Sequence, residues 1–141
     1  MSLHVKSVVL CDDIRQEKSG KFILIGAYLG TMLVSSLPAR LKLSWWILAT
    51  PAKKGKETIR VRLMSDGSGP IFTGELELSV GSLEEIAIVL PPIPVELKKE
   101  GAFMLEWQFE GTKRWQELMR FNVRLNSPSV AEQQAANEIA G

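Results

Sequence analysis

Cys11, Asp12 and Asp13 stand side by side after an apolar run (Val8, Val9, Leu10). They open a polar block that continues through Ile14-Arg15-Gln16-Glu17-Lys18-Ser19-Gly20-Lys21, and a second apolar run follows at Phe22-Ile23-Leu24-Ile25. Two of the three aspartates of the chain lie in this block. Paired carboxylates beside a strand end can hold a hard cation or move protons. A calcium or magnesium site here would draw on Glu17 and Asp66 as well, yet calcium takes about six to eight oxygens converging from one or two loops. Arg15, Lys18 and Lys21 neutralise the block from within. The favoured role of Asp12, Asp13 and Arg15 is therefore to organise the first hairpin through turn hydrogen bonds and ion pairs. A cation-dependent ligand-binding or membrane-binding module that uses Asp12 and Asp13 is the alternative.

Other routes to chemistry close quickly. A metal-assisted hydrolase needs a second acidic cluster, and the remaining glutamates are spread along outward strand positions. A nucleophilic Cys11 needs a nearby base. The single histidine, His4, lies seven residues earlier and on the opposite face by strand parity, so Cys11 is expected to be a small buried hydrophobe. One histidine and one cysteine leave too few groups for a zinc centre or a serine–histidine–aspartate set. Gly67-Ser68-Gly69 lacks the Lys-Ser/Thr pair and the following helix of a phosphate-binding loop, and it reads as a turn. No catalytic residue, cofactor or metal is assigned, and the chain is expected not to be an enzyme.

The elements that must position these residues follow from composition and period. A chain of 141 residues suits one domain that buries about two-thirds of its unfolded surface. Seventeen basic and sixteen acidic residues give a net charge of +1, whereas nucleic-acid and anionic-membrane binders carry a basic excess. A lone cysteine fits a reducing compartment. Neither a signal-peptide pattern nor an apolar run of about 18 residues is present, so a cytoplasmic protein is expected, with a virion or other assembly reached without secretion equally allowed.

The dominant period is two. Phe103, Leu105, Trp107 and Phe109 alternate with Met104, Glu106, Gln108 and Glu110, and the alternation resumes after Gly111-Thr112-Lys113 with Trp115, Met119, Phe121 and Val123. A three-residue loop matches the two apolar faces and sets Phe103 opposite Phe121, Phe109 opposite Trp115, and Glu110 opposite Arg114. Leu41 to Ala49, Ile59 to Leu63 and Phe72 to Val80 repeat the signal. Glu84–Leu90 forms a short strand that stops at Pro91-Pro92, with another beginning beyond Pro94. Lys21–Val34 is apolar on both faces, as a central strand would be, and Gly26 and Gly30 mark a bulge or a close approach. Eight or nine short strands without a sustained helical pattern before residue 127 predict an all-β fold: an antiparallel β-sandwich, Ig-like or C2-like, over residues 1–126. Residues 127–141 predict a short helical or disordered tail.

Two surface features remain. Trp46 and Leu48 fall on the outer face of a strand whose inner face is already apolar. They serve either as an interface or as ground covered by the tail or a neighbouring loop. A carbohydrate platform would need more exposed aromatics than this one. Arg60, Arg62, Arg114, Arg120 and Arg124 also face outward, and neutralisation by Glu75, Glu77, Glu106 and Glu110 is favoured over a phosphate-binding stripe.

Cys11-Asp12-Asp13-Ile14-Arg15, with Glu17, Gly20-Lys21 and Ile25-Gly26-Ala27-Tyr28, resembles the opening signature of a family of small uncharacterised bacterial and phage-encoded proteins. Leu37-Pro38 and the stretch from Gly101-Ala102-Phe103 to Phe121-Asn122-Val123 are compatible with it over most of the chain. The resemblance implies an all-β fold, no known activity and no catalytic residues. The expected function is that of a non-enzymatic β-sandwich acting through a protein partner or self-association, with no nucleic acid and no membrane among its partners.

Overall fold

The computed structural model describes residues 3–126, and among them nine strands form two sheets packed face to face. One sheet has the order β2 (Phe22–Tyr28), β1 (Leu3–Gln16), β4 (Ala39–Pro51), β7 (Ile86–Leu97). The other has the order β3 (Thr31–Val34), β9 (Gln116–Leu125), β8 (Gly101–Phe109), β5 (Gly55–Ser65), β6 (Gly69–Val80). The sandwich expected from the period-two pattern is the fold observed. All pairs but one are antiparallel; β3 joins β9 in parallel. The tail expected over 127–141 lies outside the described residues.

The inner faces carry the alternating residues. Trp45, Trp107, Phe103 and Phe121 are fully buried at the centre, with Leu10, Leu43, Ile47, Ile59, Leu63 and Leu105 around them. Burying each such side chain contributes about 1.5–3 kcal/mol relative to leaving it in water. Phe103 pairs with Phe121 as expected, and their rings stack at 5.6 Å between centroids.

Three sequence expectations change. First, the run Lys21–Val34 is not one central strand. It breaks at Leu29-Gly30 and passes from one sheet to the other, so that both of its halves are edge strands. Second, the segment around Pro91-Pro92 does not divide two strands. β7 runs through it, and the register steps by three on β7 (Leu90 to Ile93) for two on β4 (Trp45 to Leu43). The prolines sit in that bulge on an edge strand, where a missing N–H costs no ladder bond. Third, the β8–β9 hairpin slips. Leu105 pairs with Met119 but Glu106 pairs with Glu117, so Leu118 is an extra residue on β9. One inserted residue reverses the parity of everything before it. Trp115 therefore leaves the core side, and neither Phe109–Trp115 nor Glu110–Arg114 forms the expected cross-strand pair.

Candidate functional site

The polar block folds into the first hairpin and its acidic residues part company. Asp12 shares the core-side parity of Leu10, which pairs with Tyr28. The Tyr28 hydroxyl donates to Asp12 Oδ1 at 2.6 Å. Gly26 lies directly beneath the same carboxylate, with φ +68°, and a Cβ there would collide with the Asp12 carboxylate. That is why this position holds glycine: the backbone is left-handed and the space is taken. Asp13 faces the other way. Its Oδ1 accepts from the Ile14 N–H at 2.9 Å and its Oδ2 from Arg15 Nε at 3.3 Å. At the tip Glu17 and Lys21 close the turn by backbone bonds, and Ser19 Oγ donates to Glu17 Oε2 at 3.2 Å. Among the described residues no group of three or more His, Cys, Asp or Glu side chains gathers into a metal-binding cluster.

Asp12 and Gly26 also mark a bend. Pairing of β1 with β4 ends at Cys11–Ser44, while pairing with β2 continues to Gln16–Phe22. Phe22 and Trp46 belong to levels seven residues apart on β1, since Trp46 pairs with Val9. A straight hairpin would separate those levels by about 23 Å. Their rings instead meet edge to face at 6.2 Å. The arm beyond Asp12 thus folds back over the outer face of its own sheet. Phe22, Leu24 and Ile14, all half-buried, turn toward that face. Ile23 and Ile25 turn away from it and are 43% and 42% exposed.

The fold-back explains the burial of the outer face. Cys11 and Ser44 are fully buried, and the Cys11 thiol donates to the Ser44 carbonyl at 3.7 Å. Burial, followed by the nearby Asp12 and Asp13 charges, pushes the thiol up from its ordinary value, which disfavours the reactive thiolate. A bulge at Lys6 brings His4 to the same face as Cys11, contrary to simple parity. Seven residues of strand, about 20 Å, still separate them. Trp46 and Leu48 are half-buried, and the Trp46 indole N–H is buried without a hydrogen-bond partner among the described residues.

A second constellation occupies the outer face of the five-stranded sheet. The Leu118 bulge sends the Trp115 indole over Arg62, whose guanidinium carbon lies 3.9 Å from the ring centroid. Arg62 also forms a 2.7 Å ion pair with Glu106, and the two side chains are only 25% and 17% exposed. Trp115 borders a cleft of about 690 Å³ with Glu106, Arg114, Gln116 and Glu117, and on its β6 side a second of about 420 Å³ with Arg60, Thr73 and Glu75. Arg120 pairs with Glu117 at 2.8 Å. The cross-strand neutralisation expected for the outward arginines holds for Arg62 through Glu106, whereas Arg120 pairs with Glu117 on its own strand.

Of the residues singled out by sequence, the structure joins Asp12 to Gly26 and Tyr28, and Asp13 to Arg15. It places Trp46 under Phe22. Sequence reasoning missed Ile23 and Ile25, whose signal was a seven-residue strand without a charge, and it misplaced Trp115, because nothing in the alternation announces a bulge. Compared with known proteins, the chain matches no family model and no curated protein. Among the described residues no helix is long and apolar enough to cross a membrane.

Proposed function

We propose that this protein is a non-catalytic β-sandwich that self-associates by pairing the free edge of β2 with β2 of a second copy. The observation that carries this reading is the contrast among the four edge strands. Free edges template pairing with other chains and are normally blunted by proline, charge, bulges or shortness. β7 carries Pro91, Pro92 and Pro94; β6 carries Glu75 and Glu77 with Gly74; β3 is four residues long. β2 has none of these protections: Phe22-Ile23-Leu24-Ile25-Gly26-Ala27-Tyr28 contains no charge and no proline.

The solvent side of the folded-back arm adds side-chain contact to the backbone edge. Ile23 and Ile25 lie beside Arg15 and Asp13, their cross-strand partners. The Asp13–Arg15 ion pair leaves that rim without net charge, so two identical copies approach without like-charge repulsion. Leu29 and Leu33, 88% and 61% exposed, follow in the chain where Leu29-Gly30 carries β2 into β3. Strand addition of this kind draws affinity from main-chain bonds and selectivity from alternate side chains.

Sedimentation velocity and light scattering test the proposal. The wild type is expected to form a concentration-dependent dimer at tens of micromolar. Ile23→Lys combined with Ile25→Lys is expected to give a monomer of unchanged circular dichroism, whereas Leu83→Lys, at an exposed site between β6 and β7, leaves the dimer intact. A wild type that stays monomeric, or a double lysine variant that still dimerises, overturns the assignment.

A further inference from the structure

Where β1 bends away at Asp12 it leaves part of β4 unpaired. The β1–β4 ladder ends at Cys11–Ser44, whereas β4 pairs with β7 on both sides of the bulge, down to Ala39–Leu97. Among the described residues Ala39–Leu43 therefore have a neighbouring strand on one side only. Along a strand, alternate residues turn their N–H and C=O groups to opposite sides, so about half of these groups point into the place that β1 has left. Unpaired groups of this kind template the addition of another strand. A cleft of about 320 Å³ lies there, lined by Ala39 and Leu41 of β4, Tyr28 of β2, and Met32 and Val34 of β3. No residue of β7 borders it, which puts the cleft on the vacated side of β4.

We propose that the chain's own C-terminal segment fills this slot, with residues 129–133 extended along Ala39–Leu43. Position is the first argument. The Asn126 N–H donates to the Val34 carbonyl at 2.8 Å, and Val34 lines the cleft, so the segment sets out from its mouth. β9, from which it comes, faces β1 across the sandwich. Packed sheets lie about 10 Å apart and extended chain covers about 3.3 Å per residue, so Ser127, Pro128 and Ser129 span the gap. Sequence is the second. Ser-Pro favours a turn, and Pro128 falls in the crossing, before a ladder would need its missing N–H. Charge is the third. Arg40 and Lys42 are exposed beside the slot, and residues 127–141 contain Glu132 and Glu138 but no basic residue. A segment that enters with Ser129 at Ala39 and keeps step with β4 brings Glu132 to Lys42, which has no ion-pair partner among the described residues. The same step sets the small Ala131 beside Leu41, on the side that faces the other sheet. A tethered strand also adds without the loss of translational and rotational freedom that a separate chain undergoes.

Zero-length carbodiimide coupling of the full chain, read by peptide mass spectrometry, tests the assignment. Lys6 and Glu85, 2.6 Å apart, couple within the folded protein and serve as the standard. A link between Lys42 and Glu132 is expected at comparable yield, and in a mixture of isotope-labelled and unlabelled chains it is expected within single chains only. Hydrogen exchange adds a readout that a chance surface contact would not move. Val130→Pro combined with Glu132→Pro removes donors from the segment and touches none of the nine strands. Exchange is expected to quicken by about tenfold at the alternate amides of residues 39–43 that face away from β7, while the amides that face β7 keep their wild-type rates. Absence of the Lys42 link while the Lys6–Glu85 standard forms overturns the proposal, as does exchange that the two prolines leave unchanged. Links that join labelled to unlabelled chains overturn it in favour of the same segment from a second copy. The Ile23→Lys, Ile25→Lys variant is expected to match the wild type in both measurements, which separates this slot from the β2 edge.

Discussion

β7 and β2 border the same four-stranded sheet, β7 with three prolines between Pro91 and Pro94 and β2 with an uncharged apolar run from Phe22 to Tyr28. Both need to stop the sheet from growing. β7 does so chemically, by lacking donors at the margin and by bulging at Pro91-Pro92. β2 does so only by geometry: Gly26 bends it, and the arm carrying Phe22 lies back on Trp46. The difference is between an edge blunted by its composition and an edge whose shape depends on one kink. A proline edge offers a second strand few donors, whereas the folded-back apolar edge leaves Ile23 and Ile25 outward and its own donors unblunted by proline or charge.

The kink is the place to break the comparison with the largest expected effect. Gly26→Ala forces a side chain into a left-handed backbone, at about 1–2 kcal/mol, and drives its Cβ against the Asp12 carboxylate, which threatens the Tyr28 hydrogen bond for about another 1 kcal/mol. Denaturant unfolding is expected to show a loss of about 2–3 kcal/mol. The collision and the strain separate in a double-mutant cycle: in an Asp12→Ala background the same substitution should retain the strain alone, about 1–2 kcal/mol. Equal costs in the two backgrounds would mean that Asp12 does not seat on Gly26.

The opposite manipulation sharpens the comparison at β7. Replacing Pro91, Pro92 and Pro94 by threonine restores three N–H donors and raises strand propensity on a margin that now repels partners. If proline is what silences this edge, the variant should form species larger than a dimer at the same concentration, visible by light scattering, with stability changed by less than about 1 kcal/mol per site. A variant of wild-type size would show that the bulge, not the prolines, protects β7.

Much of the sandwich was legible because its inner faces obey a strict period of two; Trp45, Trp107 and the Phe103–Phe121 pair all lie where alternation puts them. What alternation cannot carry is a one-residue insertion. Lys6 and Leu118 each reverse a face, and a bulge leaves no compositional mark comparable to Gly or Pro. The misreading of Lys21–Val34 has a different origin. A run apolar on both faces is ordinarily buried by two layers, and here one side of β2 is covered by its own sheet folding under it while the other stays open. Local pattern reports how much apolar surface a strand carries, not which layer covers it. The joining of Asp12, Gly26 and Tyr28 was half visible: Gly26 was marked as a close approach, but the residue approaching it lay fourteen positions earlier, across a register that the polar block concealed.

The finest probe of the β2 kink is its phenol. Tyr28 is the single tyrosine of the chain, so tyrosinate absorbance reports it alone. Burial, reinforced by the hydrogen bond to Asp12 and by that residue's charge, pushes it up from the ordinary 10.0 to about 12. The native state thus holds this proton over a range in which the unfolded chain releases it. Its contribution to stability is fully present below pH 10.0 and is lost as the pH rises through about 12. Tyr28→Phe should remove about 1 kcal/mol at neutral pH, the worth of one hydrogen bond at an exposed rim. It should also flatten the alkaline decline of the urea midpoint relative to wild type. An absorbance midpoint near the ordinary phenol value, with parallel declines in the two proteins, would show that the Asp12 bond is not what holds β2 in its bend, and the contrast with β7 would then rest on Gly26 alone.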